Sequence, residues 1–311
     1  VSALRGLPIG DAGSVVTIGT FDGVHLGHQD VLARLHDRSA TSGRPAVVIT
    51  FDPHPLQVVN PSAAPLLLTS FHERLEVIVQ TGIPYLAVLP FTPLLAAMEA
   101  EQFVDDVLRA RYGMRELLVG HDHGFGRGRM GNPDVLRALG TSRGFTVTTL
   151  EPVMGHDAQP VSSSAIRRHV AAGQLSRATE ALGRPYSVTG RVIGGERRGR
   201  LLGYPTLNID PPALPKLLPP DGVYAVRVQT PGGAFGGMLN LGPRPTFGEH
   251  SRRLETHVFD ADQDWYGVIV RLDFVERLRD TRAFTDGAAL ARQLADDERS
   301  ARRLLEGGTA P

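Results

Sequence analysis

The spacing of apolar residues changes character once along this chain, and that change limits the folds open to it. From residue 15 to about residue 182, short β-branched runs alternate with longer amphipathic stretches. Strand-like runs fall at 15–18, 46–50, 85–89, 116–119 and 145–150, and helix-like stretches at 28–41, 71–80, 100–112, 133–142 and 164–172. Start signals support the helices: Ser70 with Glu73 makes a capping box, Asn132 precedes a first-turn Pro133, and Ser164 can cap Ile166 onward. Alternation of this kind predicts an α/β, Rossmann-like domain, a parallel sheet with helices on both faces and ligands at the carboxyl ends of its strands.

After Gly183-Arg184-Pro185 the pattern becomes strands separated by Gly and Pro turns, at 186–193, 206–209, 223–229, 234–241, 254–259 and 268–274. One long helix, 286–306, follows. Six short strands with turn signals predict a small closed β-barrel carrying a terminal helix. The expected domains are therefore 1–183 and 184–311, and 311 residues with 41% hydrophobic content suffice for two cores.

Composition narrows the function. Lys plus Arg equals Asp plus Glu at 33 each, so no global field draws the chain to nucleic acid or to an acidic membrane. The sequence contains no cysteine, which excludes disulfides, zinc–thiolate sites and thiol catalysis. No stretch approaches the roughly 18 apolar residues of a membrane span, and no leader-like segment opens the sequence. The expectation is a cytoplasmic protein with small-molecule partners, no nucleic acid, no membrane, and a weak homo-oligomer at most.

The first strand runs into Gly19-Thr20-Phe21-Asp22-Gly23-Val24-His25-Leu26-Gly27-His28. Backbone N–H groups at such a strand-to-helix junction, with glycines allowing close approach, form an anion site. Two imidazoles three residues apart there can donate to an α-phosphate as charge builds on it during in-line attack. The blander reading makes His25 and His28 turn residues or half of a metal site, but no third ligand stands at metal-binding spacing. Gly126-Arg127-Gly128-Arg129-Met130-Gly131 matches the dinucleotide fingerprint in letters, with Glu151 twenty residues beyond. Polar residues separate it from the preceding strand, so it is not expected to act as one.

In the second half, Arg197-Arg198-Gly199-Arg200-Leu201-Leu202-Gly203-Tyr204-Pro205-Thr206-Leu207-Asn208 offers a basic, glycine-containing stretch able to wrap phosphates, then a strand. Thr206 and Asn208 point to one face at period two, and their oxygens suit Mg²⁺. A turn followed by an ordinary strand explains the same residues. No P-loop signature occurs.

Taken together these motifs resemble the bifunctional bacterial riboflavin kinase/FAD synthetases over nearly the whole chain. The resemblance rests on residues 19–28, Phe51-Asp52-Pro53-His54-Pro55, Val119-Gly120-His121-Asp122-His123-Gly124-Phe125-Gly126, Val161-Ser162-Ser163-Ser164-Ala165-Ile166-Arg167, Gly203-Tyr204-Pro205-Thr206-Leu207-Asn208 and Arg253-Leu254-Glu255-Thr256-His257. It implies phosphorylation of riboflavin to FMN by the C-terminal half and transfer of AMP from ATP to FMN, giving FAD and pyrophosphate, by the N-terminal half, with Mg²⁺ as metal. By the same resemblance Gly19, Phe21, Asp22, Gly23, Gly27, Ser163 and Ser164 bind nucleotide and Arg167 acts on the departing pyrophosphate. His54, Pro55, Asp122, Phe125 and Gly126 bind flavin, while Arg197, Gly199 and Gly203 bind the kinase nucleotide. Thr206 and Asn208 hold the metal, and Glu255 is the base that takes the ribityl hydroxyl proton. Ser164, Ala165, Asn132 and Arg197 depart from residues usual in the family at those places.

Overall fold

The structure is a computed structural model, described over residues 12–121, 124–194, 203–210, 216–243, 252–261 and 263–307. Its chain divides into two compact units, Val1–Ser163 and Ser164–Pro311.

The first unit carries a five-stranded parallel sheet in the order β3-β2-β1-β4-β5, from β1 (Ser14–Ile18), β2 (Ala46–Asp52), β3 (Tyr85–Pro90), β4 (Met114–Gly120) and β5 (Thr146–Leu150). Both faces are buried, and the two-residue period of a strand sorts its side chains between them. Val16, Ile18, Val47, Ile49, Leu117 and Val119 join one core, while Val15, Val48 and Leu118 join the other. Helices α1 (Leu26–Ser42) and α3 (Phe71–Gln80) contribute Leu32, Leu35 and Ile78 to the second, and α6 (Pro133–Arg143) contributes Leu136 and Leu139 to the first.

The helix expected at 100–112 takes a different winding. A short α5 (Ala100–Gln102) passes into a π-helical stretch, Phe103–Arg109, where Ala110 N donates to Asp105 O. The wider winding draws Phe103, Val104 and Leu108 closer to one face, and all three are buried in the core. Two further helices, α2 (Pro55–Val59) and α4 (Pro93–Ala97), have five residues each, too few for a helical period to register in the sequence.

In the second unit α7 (Ser163–Ala171, shared at its first residue) and α8 (Leu175–Leu182) precede a closed barrel. Its antiparallel order is β10-β7-β6-β11-β8-β9, with β6 Ser187–Ile193, β7 Leu207–Asp210, β8 Gly222–Thr230, β9 Gly233–Pro243, β10 Arg252–Val258 and β11 Ile269–Arg279. Val192, Ile209, Leu254 and Leu241 follow one another through the paired register and fill the interior, with Val188, Val226, Val228, Leu272 and Phe274. Lys216, the one lysine of the sequence, is buried with its Nζ 4.9 Å over the Tyr186 ring.

Helix α9 (Gly287–Gly307) packs on the outer face of β8, β9 and β11, where Ala301 and Leu305 meet Ala225, Met238 and Phe259. Polar contacts fix its register: Arg279 on β11 grips the buried Asp297 carboxylate through Nε at 3.0 Å and Nη2 at 2.7 Å. Near the helix end Arg302 lies 4.4 Å over Phe259 and donates to both Asp260 oxygens, at 2.7 and 3.0 Å. Stripping a buried charge of its partner is costly, whereas replacing both members with apolar residues is not. We therefore expect Asp297→Leu to lower the stability of the barrel unit by about 3 kcal/mol in urea unfolding, and Asp297→Leu with Arg279→Met to recover most of that loss.

Candidate active sites

Because the sheet is parallel, the segments after β1, β2, β4 and β5 all leave it at one edge. Strand order reverses between β1 and β4, and a crevice opens at such a reversal. The turn after β1 lies at this point. It contains two non-glycine residues at positive φ, Phe21 at 48° and the β-branched Val24 at 37°, with Gly23 at 81° between them. Conformations of this kind persist only when their surroundings impose them. Here Asp22 does so: its buried carboxylate accepts from Leu68 N and Thr69 N at 3.0 Å and from Thr69 Oγ1 at 3.1 Å, while Gly23 N donates to Thr69 Oγ1 at 3.0 Å.

The turn delivers His25 as the N-cap of α1, its Nδ1 facing His28 N at 3.4 Å, which leaves Nε2 to carry the proton of the neutral ring. The two imidazoles stack at 3.7 Å between centroids and 19° between planes, and Phe21 meets His28 edge-on at 5.2 Å. Gly27 packs closely on the cap: a Cβ there would lie 3.2 Å from His25 Cε1, so that the ring would have to shift by a few tenths of an ångström. Ser163 Oγ donates to Asp22 O at 2.9 Å, so the segment after β5 is tied to the turn after β1. That hydroxyl proton serves the backbone in this structure, and Ser163 is the first residue of α7. Ser164 and Arg167 stand on the first turns of α7 and belong to the second compact unit.

Four of the residues expected to touch flavin have contacts of their own within the fold. His54 is 7% exposed and caps α2, accepting from Leu56 N at 3.2 Å while its own N–H donates to Gln57 Oε1; Pro55 is the first residue of that helix. The Phe125 ring, expected to stack on a flavin, lies 5.1 Å from Phe103 within the core cluster. Gly126, at φ +73°, lets its loop settle on α5, where a Cβ would fall 2.8 Å from the Ala100 backbone. The 126–131 run pairs Phe125 with Gly131 around a 3₁₀ turn and does not open a helix from a strand. Asp122 lies outside the described residues, as do Arg197 and Gly199.

The sequence reading missed Arg74. It sits on the apolar stripe of α3 with Phe71 and Ile78, is 1% exposed, and donates from Nη1 to Thr20 O at 3.2 Å and from Nη2 to Phe51 O at 2.7 Å. Burial pulls its guanidinium below the ordinary value, against the opposing pull of Asp22 and Asp52. A charged residue standing in a buried stripe was the available signal.

In the barrel, antiparallel pairing sets Asn208 of β7 directly opposite Glu255 of β10, and Glu255 opposite Asn240 of β9. Cross-strand partners share a face, so the three polar side chains form one row on the outer wall. Glu255 is partly exposed and its Oε1 accepts from Arg253 Nη1 at 2.9 Å. Asn208 is 8% exposed, yet its carboxamide makes no hydrogen bond among the described residues. A nearly buried amide with its oxygen uncommitted, next to a carboxylate, fits a hard cation carrying phosphate. Thr206 comes just before β7, two residues ahead of Asn208, and follows Pro205, whose carbonyl faces His257 Nδ1 at 2.7 Å. Gly203 adopts φ +81° with open space where a Cβ would go.

Comparison with known proteins agrees with this layout. Residues 8–165 match the FAD synthetase family, and residues 182–305 match the riboflavin kinase family. The bifunctional riboflavin kinase/FMN adenylyltransferase of Escherichia coli (strain K12) is 34% identical over 94% of this chain and 93% of its own length. The chain belongs to the bifunctional riboflavin kinase/FMN adenylyltransferase family. The member from Pseudomonas fluorescens is 36% identical over 98% of this chain and 97% of its own length. A crystal structure of a macrolide-efflux protein from Streptococcus pneumoniae superposes with a TM-score of 0.83 at 28% identity, covering 95% of this chain and 96% of that one. Among the described residues no helix is long and apolar enough to cross a membrane.

One departure from the family pattern has a structural answer. Asn132 caps α6, its Oδ1 accepting from Asp134 N and Val135 N at 3.1 Å, a task that Asn and Asp perform alike. The close packing at Gly126 is less forgiving. We expect Gly126→Ala to destabilise the first unit by about 2 kcal/mol, from the positive φ and the backbone clash together, measured by thermal unfolding against the parent chain.

Proposed function

We propose that the two activities of this riboflavin kinase/FMN adenylyltransferase divide between the sites just described: residues 1–183 carry adenylyl transfer and residues 184–311 carry the kinase. The enzyme uses ATP twice, first to phosphorylate riboflavin and then to adenylylate FMN. We place it in the cytoplasm, acting on small molecules.

The stacked pair His25 and His28 at the start of α1 is the observation that carries the adenylyltransferase assignment. In that reaction a phosphate oxygen of FMN attacks the α-phosphorus of ATP, the bond to the β-phosphate oxygen breaks, and pyrophosphate leaves. Negative charge accumulates around the α-phosphorus as this happens. Imidazole N–H groups held in place by the turn answer it without having to reorganise, which is where electrostatic catalysis gains most. Gly19, Gly23 and Gly27 let the nucleotide approach, and Asp22 keeps the turn in shape.

In the kinase, Glu255 takes the proton of the ribityl 5′-hydroxyl as its oxygen attacks the γ-phosphorus, and ADP leaves. Arg253 holds one carboxylate oxygen, so the other faces the substrate. Thr206 and Asn208 would hold Mg²⁺, which neutralises the ATP phosphates. Gly203, Arg197 and Gly199 supply the nucleotide loop.

The paired test uses purified full chain in both half-reactions. His28→Ala should lower FAD formation from FMN and ATP by about 10²-fold or more and leave riboflavin phosphorylation intact. Glu255→Gln should lower FMN formation by about 10²–10⁴-fold and still adenylylate supplied FMN. If either substitution silences both reactions in a folded protein, the division of labour is wrong. Chelation of divalent cations should stop FMN formation, and added Mg²⁺ should restore it, followed by chromatography of the flavins.

A further inference from the structure

Arg74 stands apart from every other arginine described above. Its guanidinium is buried, it forms no ion pair among the described residues, and its Nε is buried without a hydrogen-bond partner. An apolar side chain at this place on the α3 stripe would avoid that desolvation. What the guanidinium provides instead is a planar fork whose two donors have a fixed separation. One arm holds Thr20 O, in the turn that bears His25 and His28; the other holds Phe51 O, immediately before the Asp52-Pro53-His54-Pro55 turn. The two carbonyls belong to neighbouring strand ends, and Thr50 Oγ1 reaches the same Thr20 O at 3.3 Å.

We propose that Arg74 is a positioning residue for adenylyl transfer, a rigid spacer that sets the turn after β1 against the turn after β2. The proposal rests on the reading that the first turn holds ATP and the second lies beside the flavin. In-line attack demands a short, aligned approach of the FMN phosphate oxygen to the α-phosphorus, so a small change in the spacing of the turns costs rate even when each substrate still binds. Arg74 touches neither substrate. Its effect passes through the two backbone carbonyls.

The test compares the parent chain with Arg74→Lys and Arg74→Met, measuring FAD formation with ATP and FMN varied in turn. Thermal unfolding gives the folded fraction. For Arg74→Met, kcat should fall by about 10²-fold while KM for ATP and for FMN each stay within about threefold of the parent. Arg74→Lys retains the charge and one donor position but loses the fork, and should give an intermediate kcat with the same unchanged KM values. If Arg74→Met does not fold, Arg74→Lys decides the matter. A kcat per folded molecule equal to the parent's would overturn the proposal, and so would a rise in KM for one substrate with kcat intact, which would make Arg74 a support for a single pocket. Absence of FAD formation by the parent chain is a different result and would sink the adenylyltransferase assignment itself.

Discussion

Burial of the Asp22 carboxylate is the constraint on which the first site depends. Without the bonds from the 67–69 segment, Phe21 and Val24 would have no reason to stay in backbone conformations that side chains avoid. With them, the chain leaves β1, reverses sharply and enters α1 with His25 already at the cap. The histidines stack because the turn has placed them, and the glycines matter because the approach is close. The carboxylate of Asp22, a residue the motif presents at the phosphate site, accepts from the backbone of Leu68 and Thr69.

The barrel reaches a comparable result by other means. No strained turn is needed to bring Asn208, Glu255 and Asn240 together, because antiparallel register does it: each is directly opposite the next across β7, β10 and β9. The same alternation sends Ile209, Leu254 and Leu241 inward, so a polar row outside and a packed interior are two aspects of one pattern. The two sites thus draw on separate cores and separate local geometries. That separation is the physical basis for assigning them different reactions.

Much of this was legible in the sequence. The parallel sheet, the six-stranded barrel and α9 follow from hydrophobic periodicity, and the Ser70–Glu73 capping box forms as the letters predict, with Ser70 N donating to Glu73 Oε2 at 2.7 Å. The motif residues 19–28 and 255 fall where strand ends and strand register put them. Other features depend on long-range packing that no local pattern encodes. The π-helical winding of 103–109 answers the shape of the core, the Phe125 ring follows Phe103 inward, and Arg74 is explained only by two carbonyls, 54 and 23 residues away in sequence.

Lys216 has a practical implication. It is the sole lysine, it lies beneath the surface against Tyr186, and the sequence has no cysteine at all. Surface positive charge is therefore carried by arginine, which stays protonated far into alkaline solution. Thiol-directed reagents find nothing to modify, and acylating reagents find only one shielded ε-amine. One cysteine introduced on either unit would accordingly be a unique attachment point for a fluorophore or spin label, with no native reactive side chain to remove first.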